Sequence, residues 1–213
     1  MAFRSKNRYY RQDYYHIAMQ IPSHLDHPIV VLIRGVPGSG KSYLVEALLK
    51  SLNKAQVVEL DPDAIDFDSQ AYKDHEAAQR AEGVDEVLFP YRFLRAQAYQ
   101  GIADHKIILW NQPFTDLEAF DKITARLKDQ AVECNTALPI LVVEVEADAN
   151  AAWQRVQERK QAGGHGPSDN TLQRRMDEYS TAATRGYDVV TVNGQHDVTK
   201  SADTVLQALE KLI

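Results

Sequence analysis

The sequence predicts an α/β protein with a parallel sheet between two helical layers, and three observations predict it. Short apolar runs rich in β-branched residues recur at residues 29–33, 57–60, 107–110, 140–145 and 189–192, a length that suits strands buried on both faces. Amphipathic helical patterns separate them, which implies parallel strands joined by right-handed crossovers. A glycine-rich turn joins the first run to the first helical pattern, beyond the carboxyl end of a strand, where ligands of such sheets bind.

The elements follow in order. Residues 1–27 read as an N-terminal extension in which Arg4, Lys6, Arg8 and Arg11 interleave with Tyr9, Tyr10, Tyr14 and Tyr15, with no acid before Asp13. Its tyrosines are expected to pack on the domain or on a second subunit, giving a route to self-association. A nucleic-acid arm is the less favoured alternative, since cations meet phosphates and aromatics stack on bases. Residues 28–213 read as one domain, a length ample for one α/β core and short for two. Leu44, Leu48, Leu49 and Leu52 share a helical face after the turn. Leu117, Phe120, Ile123, Leu127 and Ala131 keep spacings of three and four, with Thr115 and Glu118 as a capping box. Val205, Leu206, Leu209 and Leu212 mark a last amphipathic helix.

Composition narrows the classes. The net charge of −6 gives no general attraction to nucleic acid, and a single cysteine, Cys134, rules out an internal disulfide. No apolar run nears the roughly 18 residues of a membrane span, and the N-terminus has no apolar stretch of signal-peptide length. The expectation is a soluble, cytoplasmic protein without a membrane partner.

The glycine-rich turn, residues 35–42, reads Gly-Val-Pro-Gly-Ser-Gly-Lys-Ser and completes the pattern G-x-x-x-x-G-K-[ST] between a buried strand and an amphipathic helix. That context identifies a P-loop that binds nucleotide. Gly35, Gly38, Ser39 and Gly40 let backbone N–H groups turn around phosphate oxygens, and the helix N-terminus adds partial positive charge. Lys41 reaches the β- and γ-phosphates of ATP, and Ser42 is a ligand for Mg²⁺. After the second strand, Asp61 and Asp63 aim at the same region. One carboxylate there can orient an acceptor hydroxyl or take its proton, and another can hold metal. Asp63 is assigned the first role and Asp61 the second, while Asp66 and Asp68 read as helix-capping acids.

With a strand, this loop, a second strand ending in Asp-Pro-Asp and a downstream arginine-rich segment, the chain resembles the small P-loop kinases, in particular the zeta-toxin and polynucleotide-kinase-like branch. The resemblance covers roughly residues 29–213. It implies a P-loop NTPase fold, three-layer α/β/α with a five-stranded parallel sheet and a helical lid, and transfer of the γ-phosphoryl of ATP to a hydroxyl with Mg²⁺. The family's catalytic Asp maps on Asp63. Two departures stand out: Asp66 occupies the position where many members carry an acceptor-binding Arg, and Asn111 ends the third strand where many carry Asp.

The lid would span about residues 153–178. Arg155 and Arg159 lie one turn apart on one helix face, a Gly-rich loop containing His165 follows, and a second helix carries Arg174 and Arg175. Arg155 is expected to bind nucleotide and Arg159 to stabilise charge on the transferring group, because guanidinium matches phosphate bidentately. Arg174 is a weaker candidate. Lys160 and Arg175 read as solvated surface, His165 as an exposed loop residue, and Trp110 as core. Residues 54–91 hold ten acids against three bases, which would repel a polyanionic acceptor unless Arg92 and Arg95 compensate. A small hydroxylated metabolite or nucleotide-sugar is therefore favoured over a nucleic-acid end. The alternative to a phosphotransferase is an ATP-binding switch protein with little or no transferase activity.

Overall fold

The structure, a computed structural model, describes residue 22 and residues 24–164, 166–195 and 197–213. The basic, tyrosine-rich segment, with the self-association expected of it, and His165 lie outside the described residues. Five strands, β1 (Ile29–Arg34), β2 (Val57–Leu60), β3 (Ile107–Asn111), β4 (Ile140–Glu146) and β5 (Val189–Asn193), form one parallel sheet in the order β2-β3-β1-β4-β5. Among the described residues seven α-helices accompany it: α1 (Lys41–Ser51), α2 (Gln70–Ala81), α3 (Phe89–Ala103), α4 (Leu117–Glu133), α5 (Ala149–Gln161), α6 (Asp169–Asp177) and α7 (Val198–Glu210).

The central strand explains the layering. All six residues of β1 are buried, and their alternation divides the core into two. Ile29, Val31 and Ile33 pack with Leu44 and Leu48 of α1 and Val205 and Leu209 of α7. Val30 and Leu32 pack on the other face with Leu94, Ala98 and Ile102 of α3 and Phe120 and Leu127 of α4. The result is the expected three-layer α/β/α arrangement. At about 25 cal/mol per Å² of apolar surface, burial on both sheet faces is the main drive for this fold. Trp110 is core, as expected, at 2% exposure.

Three local readings change. The cap of α4 is Asp116, not Thr115: its carboxylate accepts from the N–H groups of Glu118 and Ala119 at 2.9 and 3.1 Å. Helices α2 and α3 have no counterpart in the sequence reading. The first buries only Tyr72 and starts from the cap Ser69; the second relies on the narrow stripe Leu94, Ala98 and Ile102. Residues placed in the extension belong to the domain, since Leu25 is core and His27 hydrogen-bonds the carbonyl of Leu212 at 2.9 Å. Among the described residues no helix is long and apolar enough to cross a membrane.

Candidate active site

A cleft of about 1030 Å³ opens above the carboxyl ends of β1, β2 and β3, and its geometry starts with the glycine-rich loop. Gly35, Gly38 and Gly40 have φ of 151°, 82° and 105°, a region that L side chains rarely adopt. Space is also short there: a Cβ on Gly38 would lie 2.2 Å from the carbonyl oxygen of Ala152 in α5. No side chain caps α1, and its first turn holds no acid. By contrast Ser69, Asp116, Asp148, Ser168 and Asp197 cap α2, α4, α5, α6 and α7. An uncapped N-terminus presenting its N–H groups to a cleft suits an anion.

Lys41, the first residue of α1, is 8% exposed. Its Nζ donates to the carbonyls of Gly35 at 2.8 Å and Val36 at 3.0 Å. Burial lowers its pKa from 10.5 to about 8, against the opposing pull of Asp61 and Asp63. Ser39 stands on the inner side of the loop, fully buried with an unpartnered hydroxyl. Neither it nor Gly35 lines the cleft, whereas Gly38, Gly40, Lys41 and Ser42 do.

Asp61 and Asp63 both line the cleft. Asp61 accepts from the N–H of Asp63 at 2.9 Å and so caps the 3-10 turn Pro62–Ala64. Its other oxygen accepts from Asn111 Nδ2 at 2.6 Å, and the same nitrogen lies 3.4 Å from Ser42 Oγ. Burial raises the Asp61 pKa above the usual carboxylate value, outweighing these hydrogen bonds. Asp63 is exposed and lines the cleft. Asp66 does not: its carboxylate accepts from the N–H of Asp68 at 3.0 Å in the turn before α2, and since Ser69 caps that helix, neither Asp66 nor Asp68 is the helix cap the sequence suggested. Ser42 and Asp61 form an all-oxygen pair of the kind that holds Mg²⁺ together with substrate phosphates and water. No group of three or more His, Cys, Asp or Glu among the described residues could hold a metal ion without such help.

The segment expected to form a lid holds α5, a connecting stretch and α6. Arg155 donates to the carbonyls of Gly38 at 3.2 Å and Gly194 at 3.1 Å, so the first half of α5 is fastened to the phosphate loop. Arg159 lines the cleft, as does Arg175, which the sequence reading left on the solvated surface. Both cations act electrostatically on Lys41. Arg174 is exposed and does not line the cleft. Lys160 is a bracket across the loop: it and Gln157 share Asp169 Oδ1 at 2.7 and 2.8 Å.

Several further residues escaped the sequence reading. Gly194 approaches the loop so closely that a Cβ would meet the Ser39 carbonyl oxygen at 1.7 Å. It lines, with Arg155, Asn193 and Gln195, a second pocket of about 240 Å³. The segment after β3 crosses the end of β1, with Gly35 N–H donating to Pro113 O at 3.3 Å. Arg34 holds it from below. Its guanidinium pairs with Glu144 on the neighbouring strand, donates to Phe114 O at 2.9 Å and stacks on Tyr179 at 4.7 Å. Phe114 adopts φ 47°, a strained conformation for a bulky residue. Burial pushes the Tyr179 hydroxyl up to about 12. Arginine and glutamate at the ends of apolar runs were the available signal, since a charge in a buried strand implies a partner.

The zeta toxin family model matches residues 13–208. A search of curated proteins finds no match. Among solved structures, a gluconokinase from Sinorhizobium meliloti 1021 aligns with a TM-score of 0.54 at 18% identity, over 87% of this chain and 94% of that one. A tunicamycin resistance protein from Deinococcus radiodurans gives 0.52 at 12% identity, over 86% and 96%. A deoxyadenosine kinase from M. mycoides gives 0.50 at 15% identity, over 86% and 100%. At these identities the likeness is one of fold.

Proposed function

Since the chain belongs to the zeta toxin family, we propose that it is a P-loop kinase that transfers the γ-phosphoryl group of ATP to a hydroxyl of a small molecule. One observation carries this reading: Lys41 of the loop, Asp61 and Asp63 after β2, and Arg155, Arg159 and Arg175 of α5 and α6 line a single cleft. In it Lys41, the open N-terminus of α1 and the backbone of Gly38 and Gly40 bind the phosphates. Arg155 and the pocket beside Gly194 receive the nucleoside end. Ser42 and Asp61 are the residues that would hold Mg²⁺, which supplies charge neutralisation when bound.

The remaining steps belong to the chain's own groups. Asp63, on the exposed side of its turn, orients the acceptor hydroxyl and takes its proton as the oxygen attacks phosphorus. Arg159 and Arg175 offset charge on the transferring group, a positioning and electrostatic task rather than covalent chemistry. Asn111 keeps Asp61 turned toward Ser42. The competing reading, a nucleotide-dependent switch, draws on Asn111, which brings no charge to the metal. Single-turnover transfer from γ-labelled ATP into a panel of hydroxylated metabolites and RNA ends separates the two. Labelled product is expected, and nucleotide binding without any transfer would favour the switch.

A further inference from the structure

Arg34 is a buried cation with no part in phosphate binding. It is 0% exposed and ends β1, and Gly35 of the phosphate loop follows it directly. Replacing a whole buried ion pair by apolar residues is often neutral for stability, so stability alone is a weak reason for a cation here. Its contacts give a better one, because they reach two segments that border the cleft. Nη2 donates to the carbonyl of Phe114 at 2.9 Å, and Phe114 lines the cleft. The guanidinium carbon stands 4.7 Å from the ring centroid of Tyr179 and 5.5 Å from that of Phe120. Glu144, the ion-pair partner, accepts from the N–H of Ala182 at 2.7 Å. Tyr179 and Ala182 belong to the chain that leaves α6.

Residue spacing connects this anchor to the cleft. Arg175, in the last turn of α6, lines the cleft, and Arg174 beside it does not. Glu178 continues the helical hydrogen bonding, its N–H donating to the carbonyl of Arg174 at 2.9 Å. Leu172, Arg175 and Tyr179 are spaced by three and four residues, the positions of one helical face. Leu172 is fully buried and seats the helix from within. Tyr179, stacked on Arg34, seats the chain just past its end. Between these two points the rotation of α6 is fixed, and the side turned to the phosphate loop carries Arg175. The ring makes the stack: the Tyr179 hydroxyl is buried with no hydrogen-bond partner among the described residues.

Resting on the kinase reading above, we propose that Tyr179 is a positioning residue: stacked on the buried Arg34, it holds the end of α6 so that Arg175 meets the γ-phosphate of ATP. Arg34 sits at the root of the phosphate loop, so the loop and Arg175 share one anchor. A planar guanidinium makes this arrangement available, because its edge serves Glu144 and Phe114 and its face is left for the ring. A lysine would keep the charge for Glu144 and offer no flat face.

The test needs nucleotides only. With the full chain and Mg²⁺, calorimetry gives Kd for ADP and for a non-hydrolysable ATP analogue, and their ratio reads the contribution of the γ-phosphate. Arg175→Gln is expected to lower this ratio about tenfold, the scale of one charge-assisted contact. Tyr179→Leu should lower it by a similar factor while affinity for ADP stays near that of the parent. Arg34→Lys should lower it too. Tyr179→Phe keeps the ring, removes an unpaired hydroxyl and should hold the parent ratio. In the double variant Tyr179→Leu with Arg175→Gln the loss should match that of Arg175→Gln alone, because one residue acts through the other. A purely structural role for Tyr179 would lower both affinities together, and additive losses in the double variant would mean that it does not act through Arg175. Either result overturns the inference, as does a ratio that Tyr179→Leu leaves unchanged or equal affinity of the parent for the two nucleotides. If neither nucleotide binds the parent, the kinase reading itself fails and takes this inference with it.

Discussion

Asn111 donates from one amide nitrogen to both Asp61, at 2.6 Å, and Ser42, at 3.4 Å. One neutral side chain thus ties the ends of β2 and β3 to the start of α1. A carboxylate in its place would face Asp61 with no hydrogen between them. Asn111→Asp is therefore expected to create a pair that shares one proton, with a folded-state pKa raised above the unfolded value. The stability of this variant relative to the parent should be best at low pH and fall as pH rises through that raised pKa. Adding Mg²⁺ should restore much of the loss at pH 7. Thermal unfolding from pH 4 to 8, with and without Mg²⁺, measures this; a flat difference between variant and parent would mean that the two side chains do not meet.

Asp63 and Asp61 differ in how far each is exposed to the cleft. Both oxygens of Asp61 already accept hydrogen bonds within the protein, while Asp63 lies exposed on the cleft side of the turn. Asp63→Asn is expected to leave ATP affinity intact and cut turnover roughly 10²-fold or more, the scale of a positioned base. Asp61→Asn should instead shift the Mg²⁺ dependence. The reverse pattern would exchange their roles.

Lys41 gives a pH signature. Burial lowers its pKa to about 8, so its charge costs folding free energy below that pH, and the cost is relieved between about pH 8 and 10.5. Phosphate binding needs the ammonium form. Affinity for ATP should therefore be insensitive to this group below about pH 8 and weaken above it, with proton uptake on binding. Calorimetry at pH 7 and pH 9 in buffers of different ionisation heat reads the uptake directly. Lys41→Met should lose nucleotide binding and the proton signal together, while the empty protein unfolds at the same temperature or higher, because a desolvated charge has gone.

Much of this was legible before the structure. The phosphate loop could be read because its chemistry demands fixed residue types along a strand–loop–helix, and Asp61, Asp63, Arg155 and Arg159, placed near it by the end of a strand and by the family resemblance, all line the same cleft. Arg175 could not. Whether Arg174 or its neighbour faces the cleft depends on how α6 is rotated, and that is set by Leu172, its one buried residue. Gly194 was equally hidden, since its reason is a close approach to Ser39 from a distant strand. Helix α2, with only Tyr72 buried, has no apolar stripe for periodicity to find.

The Arg34–Glu144 pair has consequences for both stability and the cleft. Its members are 0% and 2% exposed, and Glu144 also accepts from the N–H of Ala182 at 2.7 Å. Arg34→Met leaves a buried carboxylate without its cation and is expected to cost about 3–5 kcal/mol. The double change Arg34→Met with Glu144→Met should cost clearly less than the two single changes added together. Denaturant unfolding of the four proteins in a double-mutant cycle gives the coupling; additive costs would show that the two charges do not depend on each other.

The lid is expected to move in one part only. Arg155 and the contact of Ala152 with Gly38 fix the beginning of α5 to the phosphate loop. Past Arg159 the chain changes character. Gly163 terminates α5 with φ 82° and open space around it. Gly164 is different: a Cβ there would lie 2.8 Å from Arg159 Cγ, so a side chain at this position would crowd the arginine. Binding a non-hydrolysable ATP analogue supplies the contact that favours a closed arrangement of Arg159 and Arg175. Hydrogen exchange should then slow over residues 162–178 and stay unchanged at 149–156. Gly163→Ala is expected to cost roughly 1 kcal/mol of stability through its left-handed φ, with turnover close to the parent. Gly164→Ala should displace Arg159, lower turnover and abolish the ATP-dependent protection of α6. Equal exchange in both states at saturating analogue would mean that these arginines belong to a static surface.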